Sequence, residues 1–161
     1  MTIQSEVSEL IDILRSKGLK MSAAESCTGG LIGSFMTEIP GSSDVFLGSA
    51  VTYSNESKEN ILGVNHQTLL DYGAVSEDTA REMALGSIKA YNSDLAVAVT
   101  GIAGPGGATP EKPVGLVYIA VADGPRVIVT RNLFKGDRQS IRRQTVEEAI
   151  GLLKDLAEGR L

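Results

Sequence analysis

The spacing of apolar residues near the start of the chain predicts an amphipathic helix. Val7, Leu10, Ile11 and Leu14 recur at the i, i+3, i+4 and i+7 positions of one helix face, with mainly polar residues around them. Gly18 follows where a helix C-cap is expected. The pattern indicates a first helix that packs one face on a core and leaves the other in water.

Apolar runs and turn residues in the rest of the chain predict an alternation of strands and helices. Strands are predicted over residues 20–24, 45–53, 95–99, 116–122 and 126–134, and helices over 31–38, 55–62, 77–91 and the segment after Asp137, with a short helix near residue 66. The nearly continuous apolar run 95–99 is typical of a strand covered on both faces. The short turn 123–125 indicates an antiparallel hairpin. This order predicts a three-layer α/β/α domain with a mixed parallel and antiparallel sheet.

Length and composition agree with an ordinary soluble globular protein. The 161 residues suit one domain, residues 1–161, which can bury a sizeable core without disulfides or metal. Hydrophobic residues make up 42% and charged residues 22% of the chain, and no apolar run is long enough to span a bilayer. The polar, acidic amino end lacks the features of a signal or transit peptide, so we expect a cytoplasmic protein without a membrane partner.

The chain contains one cysteine, Cys27, and one histidine, His66. This count excludes a disulfide framework and argues against a zinc site, so no metal or other cofactor is expected. A Ser-His-Asp hydrolase would have to use His66, which lies in a polar stretch and is expected to be solvated. The net charge of −5 argues against a general nucleic-acid surface, and leaves room for a local patch that binds a phosphorylated small molecule.

The stretch Ala24-Glu25-Ser26-Cys27-Thr28-Gly29-Gly30 joins the first predicted strand to the second predicted helix. Hydroxyls and glycines at a helix start leave backbone N–H groups unpaired with the positive end of the helix dipole behind them, which predicts an anion site. The anion could be a phosphate or the oxyanion formed when a nucleophile such as Ser26 attacks a carbonyl. The alternative is that Thr28 is an N-cap and the glycines form a tight turn.

Two residues after the second predicted strand are further candidates. Tyr53 ends that strand, and Lys58 lies in the first turn of a helix that Ser54 or Asn55 can cap, so Lys58 can fold back towards Tyr53. A lysine opposes the helix dipole at this position. Lys58 is therefore either a solvated surface lysine or a partly buried one whose lowered pKa lets it act as a neutral base. Tyr53 has an ordinary alternative as a strand aromatic with its hydroxyl at the rim.

A second glycine-rich loop follows the buried strand 95–99 and runs from Thr100 to Gly115. A connection this long in a compact domain is either functional or a flexible surface hairpin. Its place after a buried strand favours ligand binding, with Thr100 as the best placed side chain. Arg138, Arg142 and Arg143 begin the last predicted helix, where they favour a phosphate or carboxylate ligand unless they form a solvated basic face.

Taken together, these motifs resemble the C-terminal domain of the competence- and damage-inducible CinA family. The resemblance covers essentially the whole chain, in order, and rests on segments 24–30, 51–58, 73–76, 100–105, 111–115, 136–138 and 142–144. Members of this family are nicotinamide mononucleotide amidohydrolases, which form nicotinic acid mononucleotide and ammonia. The resemblance implies the stand-alone version, without the N-terminal molybdopterin-binding-like domain of longer members.

The resemblance also implies roles for individual residues. Ser26 would be the nucleophile and Lys58 its base, while Tyr53 would relay a proton or orient the lysine. The implied substrate-binding groups are backbone N–H groups at Cys27, Thr28, Gly29 and Gly30 for the oxyanion, and Thr100, the loop from Gly101 to Gly106 and Arg138 or Arg142 for the ribose phosphate. Ser43 and Ser49 are further candidate hydroxyls, and Cys27 is a weaker candidate nucleophile.

The sequence also leaves open two functions that are not enzymatic. A nucleotide-binding module without turnover would use the same loops and arginines, but would leave Lys58 protonated and exposed. A regulatory interaction domain has no support beyond the family's association with larger proteins. Apolar strands and small-residue helix faces would suit a homo-oligomer.

Overall fold

The computed structural model describes residues 1–161 and contains five strands and six α-helices. The strands are β1 Met21–Glu25, β2 Phe46–Val51, β3 Leu95–Gly101, β4 Leu116–Ala122 and β5 Val127–Leu133. The helices are α1 Ile3–Lys17, α2 Leu31–Thr37, α3 Asn55–Leu62, α4 His66–Tyr72, α5 Glu77–Tyr91 and α6 Arg138–Ala157, and a single 3₁₀ turn spans Ser42–Asp44.

The strands form one sheet in the order β2-β1-β3-β4-β5. Pairs β1–β2 and β1–β3 are parallel, whereas β3–β4 and β4–β5 are antiparallel. The antiparallel pairing of β4 with β5 follows from the short connection at residues 123–126, which cannot form the crossover that a parallel pair needs. The predicted mixed sheet is confirmed.

Helices cover both faces of the sheet. On one face α1, α2 and α6 bury a cluster of 26 hydrophobic residues together with alternate residues of the central strands. On the other face α3, α4 and α5 pack over a smaller cluster of 11, in which alanines of the sheet let α5 approach closely. The predicted three-layer α/β/α fold is confirmed, and no helix is long and apolar enough to cross a membrane.

Side-chain caps place the helices that matter for the site. Ser54, Ser76 and Asp137 each accept a backbone N–H of the helix that follows, at 3.1, 3.2 and 2.8 Å. Gly18 and Gly63 end α1 and α3 in the left-handed conformation, with φ of 66° and 70°. These predicted boundaries are confirmed, and the start of α3 sets the position of Lys58.

The strand ends differ from the prediction in ways that affect the site. β1 runs one residue further than predicted, so Glu25 belongs to the sheet and pairs with Val51 and Val99. β2 ends before Tyr53, which is left in the loop. β3 continues through Gly101, because pairing with β4 carries on to Val117.

Candidate active site

The carboxyl ends of β1, β2 and β3 meet at one edge of the sheet because these neighbours are parallel. Ser26 follows β1 directly, Tyr53 lies just beyond β2, and Thr100 lies near the end of β3. A cavity of about 190 Å³ opens between them. It is lined by Ser26, Cys27, Tyr53, Lys58, Ala74, Val75, Thr100, Gly101, Ala103 and Arg138.

Lys58 reaches this cavity from the first turn of α3 and contacts Ser26. Because Ser54 caps α3 immediately after β2, the first turn of the helix lies over the strand end. The Nζ of Lys58 lies 2.9 Å from the Oγ of Ser26, and it donates to the carbonyl oxygens of Thr52 at 2.8 Å and Tyr53 at 3.2 Å. The amine is therefore fixed by two backbone carbonyls and directed at one hydroxyl.

Burial changes the acid–base properties of this lysine. Lys58 is only 1% exposed, and its three hydrogen-bond partners are neutral oxygen atoms. Desolvation in this setting lowers the pKa of Lys58 from 10.5 to about 8. The alternative of a solvated surface lysine is wrong, because the first turn of α3 points into the domain.

The other candidate nucleophiles lack this contact. Burial raises the pKa of the Cys27 thiol to about 12, so the reactive thiolate does not form near neutral pH. Ser43 is exposed within the 3₁₀ turn, and the Oγ of Ser49 donates to the Oε2 of Glu25 at 2.6 Å. Among these groups, only the Ser26 hydroxyl forms a hydrogen bond with Lys58.

Glu25, to which the sequence analysis assigned no role, closes the start of α2. Its carboxylate is fully buried and accepts backbone N–H groups of Ile32 at 2.9 Å and Gly33 at 3.0 Å. It also accepts the hydroxyls of Thr28 and Ser49, each at 2.6 Å. The prediction that these helix N–H groups point outward to hold a ligand is therefore wrong, because the chain's own carboxylate occupies the positive end of the helix dipole.

The alternative that Thr28 is the N-cap of α2 is also wrong. The N-cap is Gly30, with a φ of 104°, and the Thr28 hydroxyl donates to Glu25 instead of accepting a helix N–H. The turn is closed by the N–H of Gly29, which donates to the Ser26 carbonyl at 3.1 Å. The N–H groups of Cys27 and Thr28 donate to no oxygen of the protein, and of these two residues only Cys27 lines the cavity, since Thr28 is fully buried.

Arg138 and Tyr53 lie together at the cavity wall. The guanidinium of Arg138 donates to the carbonyl oxygen of Gly104 at 2.7 Å and to the Tyr53 hydroxyl at 3.4 Å. Tyr53 is 62% exposed, and its contact with Lys58 is through its backbone carbonyl rather than its hydroxyl. Thr100 is buried, and its hydroxyl donates to the carbonyl oxygen of Ala74 at 2.8 Å.

The other two arginines of α6 have different surroundings. The guanidinium of Arg142 donates to the carbonyl oxygen of Thr28 at 2.8 Å and does not line the cavity. Arg143 stacks over the ring of Phe35, with its guanidinium carbon 5.5 Å from the ring centre. Of the three arginines, only Arg138 is in a position to meet a ligand inside the cavity.

Comparison with known proteins identifies the family of this fold and site. A model of the CinA C-terminal domain matches residues 3–157. The chain belongs to the CinA C-terminal domain family. The resemblance inferred from the motifs is confirmed.

Individual CinA relatives match over most of this chain. It is 54% identical over 142 residues to a Clostridium beijerinckii protein named for competence-damage induction, a match that covers 88% of this chain and 35% of that protein. The competence/damage inducible protein CihA from Agrobacterium tumefaciens superposes with a TM-score of 0.93 at 44% identity, covering 96% of this chain and 94% of that one. A CinA superfamily protein from Klebsiella pneumoniae has a TM-score of 0.95 at 29% identity and 99% coverage of both chains. This chain spans about a third of the length of the curated relatives it matches.

In this CinA domain, the cavity brings together most of the residues that the sequence singled out. The predicted residues that line it are Ser26, Cys27, Tyr53, Lys58, Thr100, Gly101 and Arg138, whereas Thr28, Gly29, Gly30 and Arg142 do not line it. Ala103 also lines it and belongs to the loop from Gly101 to Gly106 that was predicted to bind substrate. The sequence analysis missed Ala74 and Val75 as lining residues, although they belong to one of the CinA-like segments.

His66 lies outside the site. Its Nδ1 is 3.0 Å from a carboxylate oxygen of Glu59 and its side chain is 68% exposed. The expectation of a solvated histidine is confirmed. Any general base of this cavity must therefore come from another residue type.

Proposed function

We propose that this CinA domain is an amidohydrolase that converts nicotinamide mononucleotide to nicotinic acid mononucleotide and ammonia, with Ser26 as nucleophile and Lys58 as general base. The observation that carries the proposal is the 2.9 Å contact between the Nζ of Lys58 and the Oγ of Ser26 inside a cavity. Ser-Lys pairs replace the Ser-His pair in several hydrolases. The chain's only histidine is remote from the cavity and cannot take this role.

The environment of Lys58 supports a neutral amine as the working form. A neutral amine has two N–H groups and one lone pair. The carbonyl oxygens of Thr52 and Tyr53 accept the two N–H groups, which leaves the lone pair for the Ser26 hydroxyl. With a pKa of about 8 for Lys58, roughly a tenth of the amine is neutral at pH 7.

Acylation follows from this arrangement. The Oγ of Ser26 attacks the carboxamide carbon while Lys58 takes the hydroxyl proton, which gives a tetrahedral oxyanion. The unpartnered N–H of Cys27, which lines the cavity, is the donor available to this oxyanion. When the C–N bond breaks, protonated Lys58 gives its proton to the departing nitrogen, and ammonia leaves an ester on Ser26.

Deacylation uses the same groups in the reverse order. A water molecule attacks the ester carbon while Lys58 takes its proton, and the Ser26 oxygen leaves with the proton that Lys58 returns. The product is nicotinic acid mononucleotide. The nucleotide phosphate is expected to meet Arg138, whose guanidinium lines the cavity.

The rival proposal is a nucleotide-binding module without turnover. Such a module has no need of a lysine with a lowered pKa, and would tolerate Lys58 in water. The burial of Lys58 and its contact with Ser26 favour the hydrolase. A cytoplasmic location and a homo-oligomer remain predictions from the sequence.

The test is ammonia release from nicotinamide mononucleotide by the purified protein. We expect turnover by the wild type, and a loss of about 10³-fold or more in Ser26→Ala and Lys58→Ala. Nicotinamide riboside, which lacks the phosphate, should be a much poorer substrate. Binding without ammonia release would favour the rival module, and full activity of Ser26→Ala would exclude Ser26 as the nucleophile.

A further inference from the structure

Thr28 is held from two sides by charged residues that lie outside the cavity lining. Its hydroxyl donates to a carboxylate oxygen of Glu25 at 2.6 Å, and its carbonyl oxygen accepts from a guanidinium N–H of Arg142 at 2.8 Å. Thr28 and Glu25 are both fully buried. Neither charged residue lines the cavity, so neither is in a position to contact a substrate there.

We propose that Glu25 and Arg142 are positioning residues that hold Thr28 and thereby fix the N–H of the preceding residue, Cys27, as the oxyanion-binding donor. The inference rests on the proposed hydrolase. It gives Arg142 a role different from the phosphate contact that the family resemblance implied. The phosphate contact is left to Arg138, the arginine that lines the cavity.

The surroundings of Glu25 explain why a carboxylate is needed there. Four donors converge on it, from Thr28, Ser49 and the backbone of Ile32 and Gly33. An ionised carboxylate only accepts hydrogen bonds, whereas a glutamine amide would direct one N–H₂ group at these donors. Glu25 thus joins the nucleophile loop to α2 and β2, and leaves the loop little freedom to move.

Arg142 completes the hold on the other side of the loop. Its guanidinium and the N–H of Leu31, at 3.1 Å, both donate to the Thr28 carbonyl, while Gly29 closes the turn on the Ser26 carbonyl. The turn is therefore fixed through the side chain and carbonyl of Thr28 and through the N–H of Gly29. The N–H of Cys27 donates to no oxygen of the protein and is left free to meet charge that develops on the substrate.

The experiment compares Glu25→Gln, Arg142→Gln and Arg142→Lys with Arg143→Gln, a matched control one residue along α6 that removes an arginine stacked on Phe35. Displacement of the Cys27 N–H should weaken binding of the transition state more than binding of the substrate, because the oxyanion exists only in the transition state. We expect kcat for nicotinamide mononucleotide to fall about 10²-fold in Glu25→Gln and Arg142→Gln with KM nearly unchanged. Arg142→Lys should recover part of the loss, and Arg143→Gln should match the wild type.

A second variant and a second measurement keep the test decisive. If Glu25→Gln does not fold, Thr28→Val removes only the hydroxyl that donates to Glu25 and should show the same loss in kcat. If the wild type releases no ammonia, the proposed substrate is wrong, and the rate at which a fluorophosphonate labels Ser26 replaces kcat. Slower labelling in the Glu25 and Arg142 variants than in Arg143→Gln would support the positioning role.

Other outcomes would overturn the inference. Unchanged kcat in both charge variants, or equal labelling rates, would mean that the loop needs no support from Glu25 and Arg142. No labelling of wild-type Ser26 would mean that the loop holds no activated nucleophile, and so no oxyanion site for these residues to position. A rise in KM with unchanged kcat in Arg142→Gln would assign Arg142 to ground-state binding of the substrate instead.

Discussion

Lys58 has an environment that is unusual for its residue type. It is almost fully buried without a carboxylate partner, in a first helical turn where the dipole already disfavours a positive charge. Lowering its pKa from 10.5 to about 8 corresponds to about 3 kcal/mol against the charged form. A buried lysine that lowers the stability of the folded protein in this way is typical of catalytic sites rather than of structural cores.

The rate of hydrolysis should depend on pH through this lysine. Because only the neutral amine can take the proton of Ser26, we expect kcat/KM for nicotinamide mononucleotide to rise with pH and to level off above about 8, the pKa of Lys58. The measurement is a pH–rate profile of ammonia release from pH 6.5 upwards. A profile that keeps rising towards the ordinary lysine pKa near 10.5 would contradict the burial effect.

The Tyr53 hydroxyl contacts Arg138 and not Lys58, which separates the two roles that the sequence left open for this tyrosine. In Tyr53→Phe the backbone carbonyl that holds Lys58 is retained. We therefore expect kcat to fall less than about tenfold, whereas loss of a proton relay would cost about 10² or more. Steady-state kinetics measure this effect, and a loss of about 10²-fold in kcat would indicate that the Tyr53 hydroxyl does relay a proton.

Among the elements, α3 and α2 were both predicted close to their observed bounds, but the partners of the first N–H groups of α2 were not. The Ser54 cap and Gly63 end gave α3 its bounds, and placed Lys58 in the first turn. Its burial could not be predicted, because it depends on how closely α3 packs on α5. The N–H groups at the start of α2 were wrongly predicted to be unpaired, because a strand glutamate can reach them only after β1 and α2 have packed together. A carboxylate ending a strand of small residues just before a helix was the available signal.

The close contact between α3 and α5 depends on Gly86. A Cβ at this position of α5 would overlap the carbonyl oxygen of Leu62 at the end of α3. We expect Gly86→Ala to lower the free energy of unfolding by about 1–3 kcal/mol or more, and to reduce kcat by moving the helix that carries Lys58.

The matched control is Gly151→Ala in α6, where a Cβ meets nothing within 4 Å. That change should raise the free energy of unfolding by about 0.5–1 kcal/mol, because alanine favours the helix. Denaturant titration and ammonia release measure both effects. Equal free energies of unfolding for Gly86→Ala and Gly151→Ala would mean that α3 can shift without a loss of stability. The packing at Gly86 would then not fix the position of Lys58.

At the scale of the whole molecule, the sheet order explains where the site lies. The connection from β1 to β2 passes over one face through α2, and that from β2 to β3 crosses the other face through α3, α4 and α5. Both leave the carboxyl end of β1 uncovered, which is where open α/β sheets bind ligands. The alternation of strands and helices predicted this edge from sequence. The lining residues Ala74 and Val75 could not be placed at this edge from hydrophobic periodicity, since their loop has no regular pattern, and only the CinA-like segment 73–76 pointed to them.

The stability of the whole domain should also respond to Lys58. The unfolded chain keeps the lysine proton up to about pH 10.5, whereas the folded protein releases it near 8. Between these values the unfolded state binds more protons, so this group makes the free energy of unfolding rise with pH. Lys58→Met lacks the titrating amine and therefore this contribution. Subtracting its free energy of unfolding from that of the wild type cancels the pH dependence due to all other groups.

We therefore expect the difference in free energy of unfolding, wild type minus Lys58→Met, to increase by about 3 kcal/mol between pH 7 and pH 10.5. Urea titrations at intervals of pH measure it, and Lys89→Met, which removes an exposed lysine, serves as the control. At neutral pH the Lys58→Met variant should release no ammonia, because it lacks the proposed base. It should also fold without the cost of burying a charged amine. A flat difference for Lys58→Met would mean that the folded protein keeps the amine protonated to the ordinary pKa, which would remove the base from the proposed mechanism.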